Sequence, residues 1–216
     1  MSGLFNDVST SIIQLGSLLP ESILLGSSLL YFMTLNKSFG VFAVFIIEVI
    51  LSHKFVAWMF KETTGESGLP KVKPDLKCFA GYKSIRADIE RAVPLHQYPS
   101  YSFFSITAIA TYLGLSTNEY SSTMTSMGPQ WEGRAFMAYL FIFIMLIIFF
   151  LARLAFCDKP TELLIAFVSA IIIGCIFFKI NVALFGTEGV NFLGLPYMTS
   201  KTKNGDDIYV CAQTSQ

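Results

Sequence analysis

Three places in the sequence combine a residue that can bind an anion with the end of an apolar segment. Lys61 follows the apolar segment 39–60. Ser100 stands directly after Pro99 at the start of another segment, and Arg153 lies near the end of a third. Lysine and arginine are the usual phosphate-binding cations, and a helix N-terminus offers free N–H groups. These residue types indicate binding of a phosphate or a lipid headgroup.

A second group of ionisable residues lies inside apolar segments: Glu48, His53, Lys54 and Lys179. Such residues are costly within a bilayer and commonly mark a site or a polar partner. Lys54 and Lys179 lie about two helical turns from the ends of their segments, so their side chains can reach the membrane boundary. Glu48 lies near mid-segment. It is either a structural residue hydrogen-bonded inside a bundle or part of a site or pathway.

Metal and cofactor chemistry has little support in the sequence. The four cysteines are Cys78, Cys157, Cys175 and Cys211, and no Cys-x-x-Cys pair occurs. The chain has only 2 histidines, so the ligand spacing of a zinc site is missing. We therefore expect no metal, no cofactor and no disulfide framework.

The composition places the chain in a membrane. Of 216 residues, 53% are hydrophobic and 14% are charged, whereas soluble domains have about 45–50% and about 25%. One domain of this length has too little interior to bury so many apolar side chains, so the excess must face lipid. The formal net charge is zero, which gives no field to attract a polyanion. The composition excludes a soluble enzyme, a disordered chain and a nucleic-acid binder.

Five apolar segments approach the length of about 20 residues that a helix needs to cross a bilayer. They are 18–35, 39–60, 99–115, 135–156 and 163–185. Segment 99–115 is rich in Ser and Thr, which suits a helix packed among others. The sequence predicts an all-α, multi-pass transmembrane helix bundle with about five spans.

Three polar regions surround the bundle 18–185. Residues 1–17 lack the basic start of a secretory signal and form either a short interfacial helix or a loosely ordered terminus. Residues 61–98 are predicted to form a long polar loop. Residues 186–216 are predicted to form a polar tail, in which Asn204-Gly205 favours a hairpin with a strand that begins at Asp207.

The distribution of cations predicts an orientation. Five spans place the N-terminus, loop 61–98 and turn 157–162 on one side of the membrane. That side carries nine lysines and arginines against five on the other. The positive-inside rule then predicts that the N-terminus and loop 61–98 are cytoplasmic.

The anion-binding residues occur in an order that resembles the type 2 phosphatidic acid phosphatase (PAP2) family. That family has three motifs: Lys-x6-Arg-Pro, Pro-Ser-Gly-His and Ser-Arg-x5-His-x3-Asp. Residues 61–70 look like the first motif, residues 99–102 (PSYS) like the second, and Ala152-Arg153 like the start of the third. The resemblance covers roughly residues 40–185. It implies a PAP2-like core with vestigial phosphate or headgroup contacts from Lys61, Ser100 and Arg153.

The catalytic histidines of that family are not matched here. The position of the nucleophilic histidine holds Lys159 when the third motif is aligned on Arg153. Alignment on Pro160 places Asp158 there instead, but Ala152 then stands at the position of the motif arginine. The position of the histidine that protonates the leaving group holds Ser102, a poor acid at neutral pH. Loss of the nucleophile and the acid together implies that no residue is catalytic.

The sequence therefore predicts a non-catalytic integral membrane protein with a PAP2-like pseudo-phosphatase core. Its expected role is a structural or assembly subunit of a larger membrane complex, such as a virion internal membrane layer or a membrane supercomplex, or a binder of lipid headgroups. Its expected partners are membrane lipids and other proteins, with no nucleic acid. Two alternatives stay open. One is an active lipid-phosphate phosphatase that uses His96, Asp158 and Lys159; the other is a small transporter or channel built around Glu48, His53 and Lys179.

Overall fold

The protein is a bundle of long helices in a computed structural model that describes residues 2–68, 99–126, 131, 133–191, 200–201 and 207–208. The helices are α1 (Ser2–Thr34), α2 (Lys37–Gly68), α3 (Tyr101–Glu119), α4 (Ser121–Ser126), α5 (Arg134–Phe156) and α6 (Pro160–Phe185), followed by a 3₁₀ helix (Thr187–Val190). Two short strands, β1 (Ser200–Lys201) and β2 (Asp207–Ile208), pair antiparallel, as a hairpin requires. The predicted all-α class and helical membrane bundle are confirmed.

Three of the described helices are long and apolar enough to cross a membrane. They are Lys37–Thr63 within α2, Arg134–Ala155 within α5, and Pro160–Phe185, which is α6. α1 adds a shorter apolar stretch, Leu18–Thr34. Only 11% of the most apolar part of α5 is buried inside the bundle, and a surface this apolar needs lipid rather than water around it. The chain is therefore an integral membrane protein.

Two predicted boundaries differ from the structure. α1 runs without a break from Ser2 to Thr34, so residues 2–17 continue into the first apolar segment and do not form a separate short helix. Pro20 lies inside this helix, within the apolar segment 18–35 that the sequence predicts to be helical. Residues 61–68 of the predicted loop continue α2, and residues 69–98 lie outside the described part of the chain.

α3 is central to the bundle although it is not the most apolar helix. Ten of its 19 residues are buried, and it packs chiefly against α6. The two backbones approach closely at Gly174, where an added Cβ would lie 3.0 Å from Thr111 Cβ and 3.1 Å from the Ala108 carbonyl oxygen. Small residues permit this kind of approach between helices in a bilayer. The Ser- and Thr-rich helix α3 is thus an inner helix of the bundle.

Two sets of contacts, one in the core and one at the end where α2 begins, hold α2, α3 and α6 together. In the core, the Tyr112 ring lies 4.1 Å from that of Phe45 and meets Phe178 edge-on at 5.4 Å. At the end where α2 begins, Ser38 Oγ donates to the Glu188 carbonyl at 2.9 Å. Ser116 Oγ donates to the Val190 carbonyl at 2.6 Å. The 3₁₀ helix therefore joins the start of α2 to the end of α3.

Candidate anion site

The connection between α5 and α6 places an acidic side chain beside an arginine. α5 ends at Phe156, residues 157–159 form the turn, and α6 begins at Pro160, which suits a first helical turn because its missing N–H would have no partner there. The Asp158 N–H donates to the Arg153 carbonyl at 2.9 Å. This backbone bond folds the turn back over the last turn of α5. We name this region the Arg153 end of the bundle.

The Arg153 guanidinium holds the Asp158 carboxylate at two points. Nε donates to Oδ2 at 2.7 Å, and Nη2 donates to Oδ1 at 2.9 Å. Only 5% of the Arg153 side chain and 10% of the Asp158 side chain are exposed. Two-point arginine–carboxylate contacts are among the strong hydrogen bonds of proteins. Because both side chains are buried, removal of either one would leave the other charge without a partner.

Ser100 completes the group from the start of α3. Its Oγ donates to Asp158 Oδ2 at 2.6 Å and accepts from Arg153 Nη2 at 3.1 Å. Ser100 is itself 2% exposed. The fold thus brings together Ser100 and Arg153, two of the three residues predicted to contact phosphate, although 53 positions separate them in the chain. Arg153, Asp158 and Ser100 are termed the Arg153 group below.

The Asp158 carboxylate is the anion that Arg153 and Ser100 hold in this structure. Carboxylate and phosphate groups both present oxygen pairs that match the donor fork of arginine. Here Oδ2 accepts from Ser100 and Arg153, and Oδ1 accepts from Arg153. Both carboxylate oxygens are therefore engaged by the chain's own donors.

The other candidate residues differ in burial. Lys61 is half-buried near the end of α2, and Lys54, two turns earlier, is exposed. Lys159 is exposed in the turn before α6, whereas Ser102 is buried in the first turn of α3. His96 lies outside the described residues.

His53 positions the start of α3. Its Nε2 lies 2.7 Å from the Pro99 carbonyl oxygen and must donate, because a carbonyl only accepts. The ring meets Tyr101 and Phe104 edge-on at 5.0 and 5.2 Å between centroids. Fixing Pro99 also fixes the neighbouring Ser100. The sequence marked His53 as an intramembrane polar residue, but no spacing signal joins it to a residue 46 positions away.

Glu48 has a polar partner inside the bundle. Asn181 Nδ2 donates to Glu48 Oε2 at 3.1 Å, and Tyr112 faces the same pair. Asn181 Oδ1 and Tyr112 Oη are buried without a well-formed hydrogen bond among the described residues. Asn181 was missed because one asparagine in an apolar helix gives no spacing signal. Lys179, two residues earlier on α6, is exposed, whereas Glu48 is half-buried.

The expectation of no disulfide framework is wrong at one position. Cys157 is disulfide-bonded, whereas Cys175 is free. Cys157 directly precedes Asp158, so the cross-link restrains the turn that carries this carboxylate. Within the part of the chain that the structure describes, no group of three or more His, Cys, Asp and Glu side chains could hold a metal ion.

Comparison with protein-family models, with curated proteins and with solved structures finds no match for this chain. The fold and the site define a class only: an integral membrane helix bundle with a buried Arg–Asp–Ser group at one end. A function for this class has to follow from what the Arg153 group can and cannot do.

Proposed function

We propose that the chain is a non-catalytic integral membrane protein with a PAP2-like core, in which Asp158 fills the phosphate position. One observation carries this proposal: the two-point contact of Asp158 with Arg153, joined by the bond from Ser100. Arg153 and Ser100 stand at positions that resemble phosphate-binding positions of that family. A carboxylate held there by the chain itself competes with any substrate phosphate.

The chemistry of the same residues supports the loss of catalysis. Asp158 is the nucleophile in one alignment of the third motif, yet arginine and serine hold both of its oxygens. An attacking oxygen needs a lone pair directed at phosphorus, and hydrogen bonding to a cation lowers its nucleophilicity. Ser102 stands at the position of the general acid, and a serine hydroxyl does not supply a proton readily at neutral pH.

A structural role follows for the Arg153 group. Its charge-assisted bonds join the end of α5 and the following turn to the start of α3, and His53 extends this connection to α2. The bundle around it presents long apolar surfaces that suit lipid. We propose a structural or assembly subunit of a larger membrane complex, for example in the internal membrane of a virion or in a membrane supercomplex. Binding of lipid headgroups is the other non-catalytic role that we propose.

A rearranged lipid-phosphate phosphatase is the second candidate. Asp158 lies beside the two residues that would bind the phosphate, so a substrate able to displace it would place phosphorus near a carboxylate. Carboxylates do act as nucleophiles in enzymes that form an aspartyl-phosphate. The two candidates differ in one measurable property: only a phosphatase would release phosphate from its lipid substrate.

Phosphate release from phosphatidic acid and from an isoprenyl pyrophosphate tests the two candidates. The purified full-length protein is compared with the variant Arg153→Met/Asp158→Leu, in which apolar side chains of similar size replace the buried ion pair. We expect equal, background release from both proteins. Release by the wild type that the double variant lacks would overturn the proposal and assign the activity to the site that contains Arg153 and Asp158.

The orientation of the bundle is a separate proposal with two opposing signals. The distribution of cations places the Arg153 end in the cytoplasm. The Cys157 disulfide at the same end is typical of an oxidising compartment. Sealed vesicles of known orientation, treated with an impermeant reductant and then with an impermeant thiol reagent, decide between them. Labelling of Cys157 assigns the Arg153 end to the side that faces the reagent.

A further inference from the structure

A groove opens at the end of the bundle opposite the Arg153 group, here termed the Lys37 end. It lies between the last turns of α1, the first turns of α2 and the last turn of α6, and it has a volume of about 600 Å³. Ligand sites commonly measure about 300–1,000 Å³. Candidate membrane spans begin at Lys37 and end at Phe185 beside it. The groove is therefore located where these helices leave the hydrocarbon layer.

The wall of the groove is apolar and aromatic, with one charged side chain at its edge. Most of the wall comes from Tyr31, Phe32, Val41, Val44, Leu184 and Phe185. Lys37 is the one charged residue of the lining and is exposed. Its ammonium makes no hydrogen bond or ion pair with any residue that the structure describes. An anion at this edge would therefore meet no competing carboxylate among the lining residues.

Gly40 shapes the floor of the groove. An added Cβ at this position would lie 2.9 Å from a ring carbon of Tyr31, so α1 and α2 can meet here only because position 40 has no side chain. Tyr31 is thereby held against α2 with part of its ring exposed. Tyrosine is favoured at membrane boundaries because its ring is apolar and its hydroxyl is polar.

We propose that this groove binds an anionic phospholipid, with an acyl chain along the apolar wall and the headgroup phosphate at Lys37. Charge complementarity supports this occupant, because lysine binds phosphate as a compact point charge. An extended protein segment is a poorer fit, since its backbone groups need hydrogen-bond partners within a bilayer and the lining side chains offer few. The site is independent of the Arg153 group and of its proposed function.

Native mass spectrometry of the full-length protein, offered equal amounts of phosphatidylglycerol and phosphatidylcholine, tests this proposal. We expect more adducts with phosphatidylglycerol, and a fall in that preference of about fivefold for Lys37→Gln, the effect of one cation near an anionic surface. The matched control is Lys179→Gln, which removes an exposed lysine that does not line the groove and should leave the preference unchanged. Val44→Phe narrows the groove and should lower the adducts of both lipids.

Three outcomes would overturn the proposal. Equal losses in Lys37→Gln and Lys179→Gln would mean that general surface charge attracts the lipid. Equal adducts of both lipids on the wild type would mean that the groove does not select an anion. The variant Arg153→Met/Asp158→Leu should keep the wild-type preference. If the preference disappears in that variant alone, the lipid binds at the Arg153 end instead.

Discussion

Replacing Asp158 by alanine should destabilise the bundle and open an anion site at the Arg153 end. The substitution removes a carboxylate that accepts from Arg153 Nε, Arg153 Nη2 and Ser100 Oγ. The arginine side chain is 5% exposed, so water cannot easily replace the lost partner. Removing one partner of a buried ion pair costs about 3–5 kcal/mol. We expect a loss of this size in the free energy of unfolding for Asp158→Ala.

Inorganic phosphate should return part of this stability. An anion that enters the vacated position stabilises the folded state by about 2.7 kcal/mol when its concentration is 100 times its Kd. The wild type should not respond, because Asp158 already holds Arg153 and Ser100. A rise in unfolding temperature with phosphate is thus expected for Asp158→Ala alone.

Thermal unfolding in detergent micelles, with and without phosphate at constant ionic strength, measures both effects. The control is Arg153→Met/Asp158→Leu, which should unfold near the wild-type temperature because apolar replacement of a buried ion pair is often neutral or stabilising. It should not respond to phosphate. Equal stability of Asp158→Ala and the wild type, or equal stabilisation of both proteins by phosphate, would contradict this prediction.

Three further predictions concern packing, hydrogen bonding and redox state. Gly174→Ala should cost about 1–3 kcal/mol through overpacking, whereas Gly26→Ala, whose Cβ meets nothing within 4 Å, should be neutral or stabilising; similar unfolding temperatures would contradict the close approach of α3 and α6. His53→Phe should cost about 1–3 kcal/mol because the Pro99 carbonyl loses its donor, and an unchanged unfolding temperature would argue against that bond. Cys157 in the denatured protein should react with a maleimide only after reduction, and labelling without a reductant would disprove the disulfide.

The sequence predicted the helical class because an apolar segment that crosses a bilayer must satisfy its backbone hydrogen bonds internally, as a helix does. It did not predict that α1 is continuous from Ser2 to Thr34, because composition alone separates the more polar residues 1–17 from the apolar segment 18–35. α3 carries too many hydroxyl groups to stand out by hydropathy. Its inner position follows from packing against α6 at Gly174, which single-sequence patterns do not record.

The candidate site was predictable only in part. The motif order indicated that Arg153 and Ser100 would lie near each other, and the structure brings them within hydrogen-bond distance. Their occupation by Asp158 was not foreseen, because the sequence left Lys159 and Asp158 as alternative matches to one motif position. The bond from His53 to Pro99 depends on how α2 meets α3, which no local pattern encodes.

A structure of the protein in lipid nanodiscs containing phosphatidic acid would show whether Asp158 fills the anion site. We expect the Asp158 carboxylate to remain within hydrogen-bond distance of both Arg153 and Ser100, with no lipid phosphate between them. A headgroup phosphate bound to Arg153, with Asp158 displaced from it, would contradict the claim that the chain fills its own anion site.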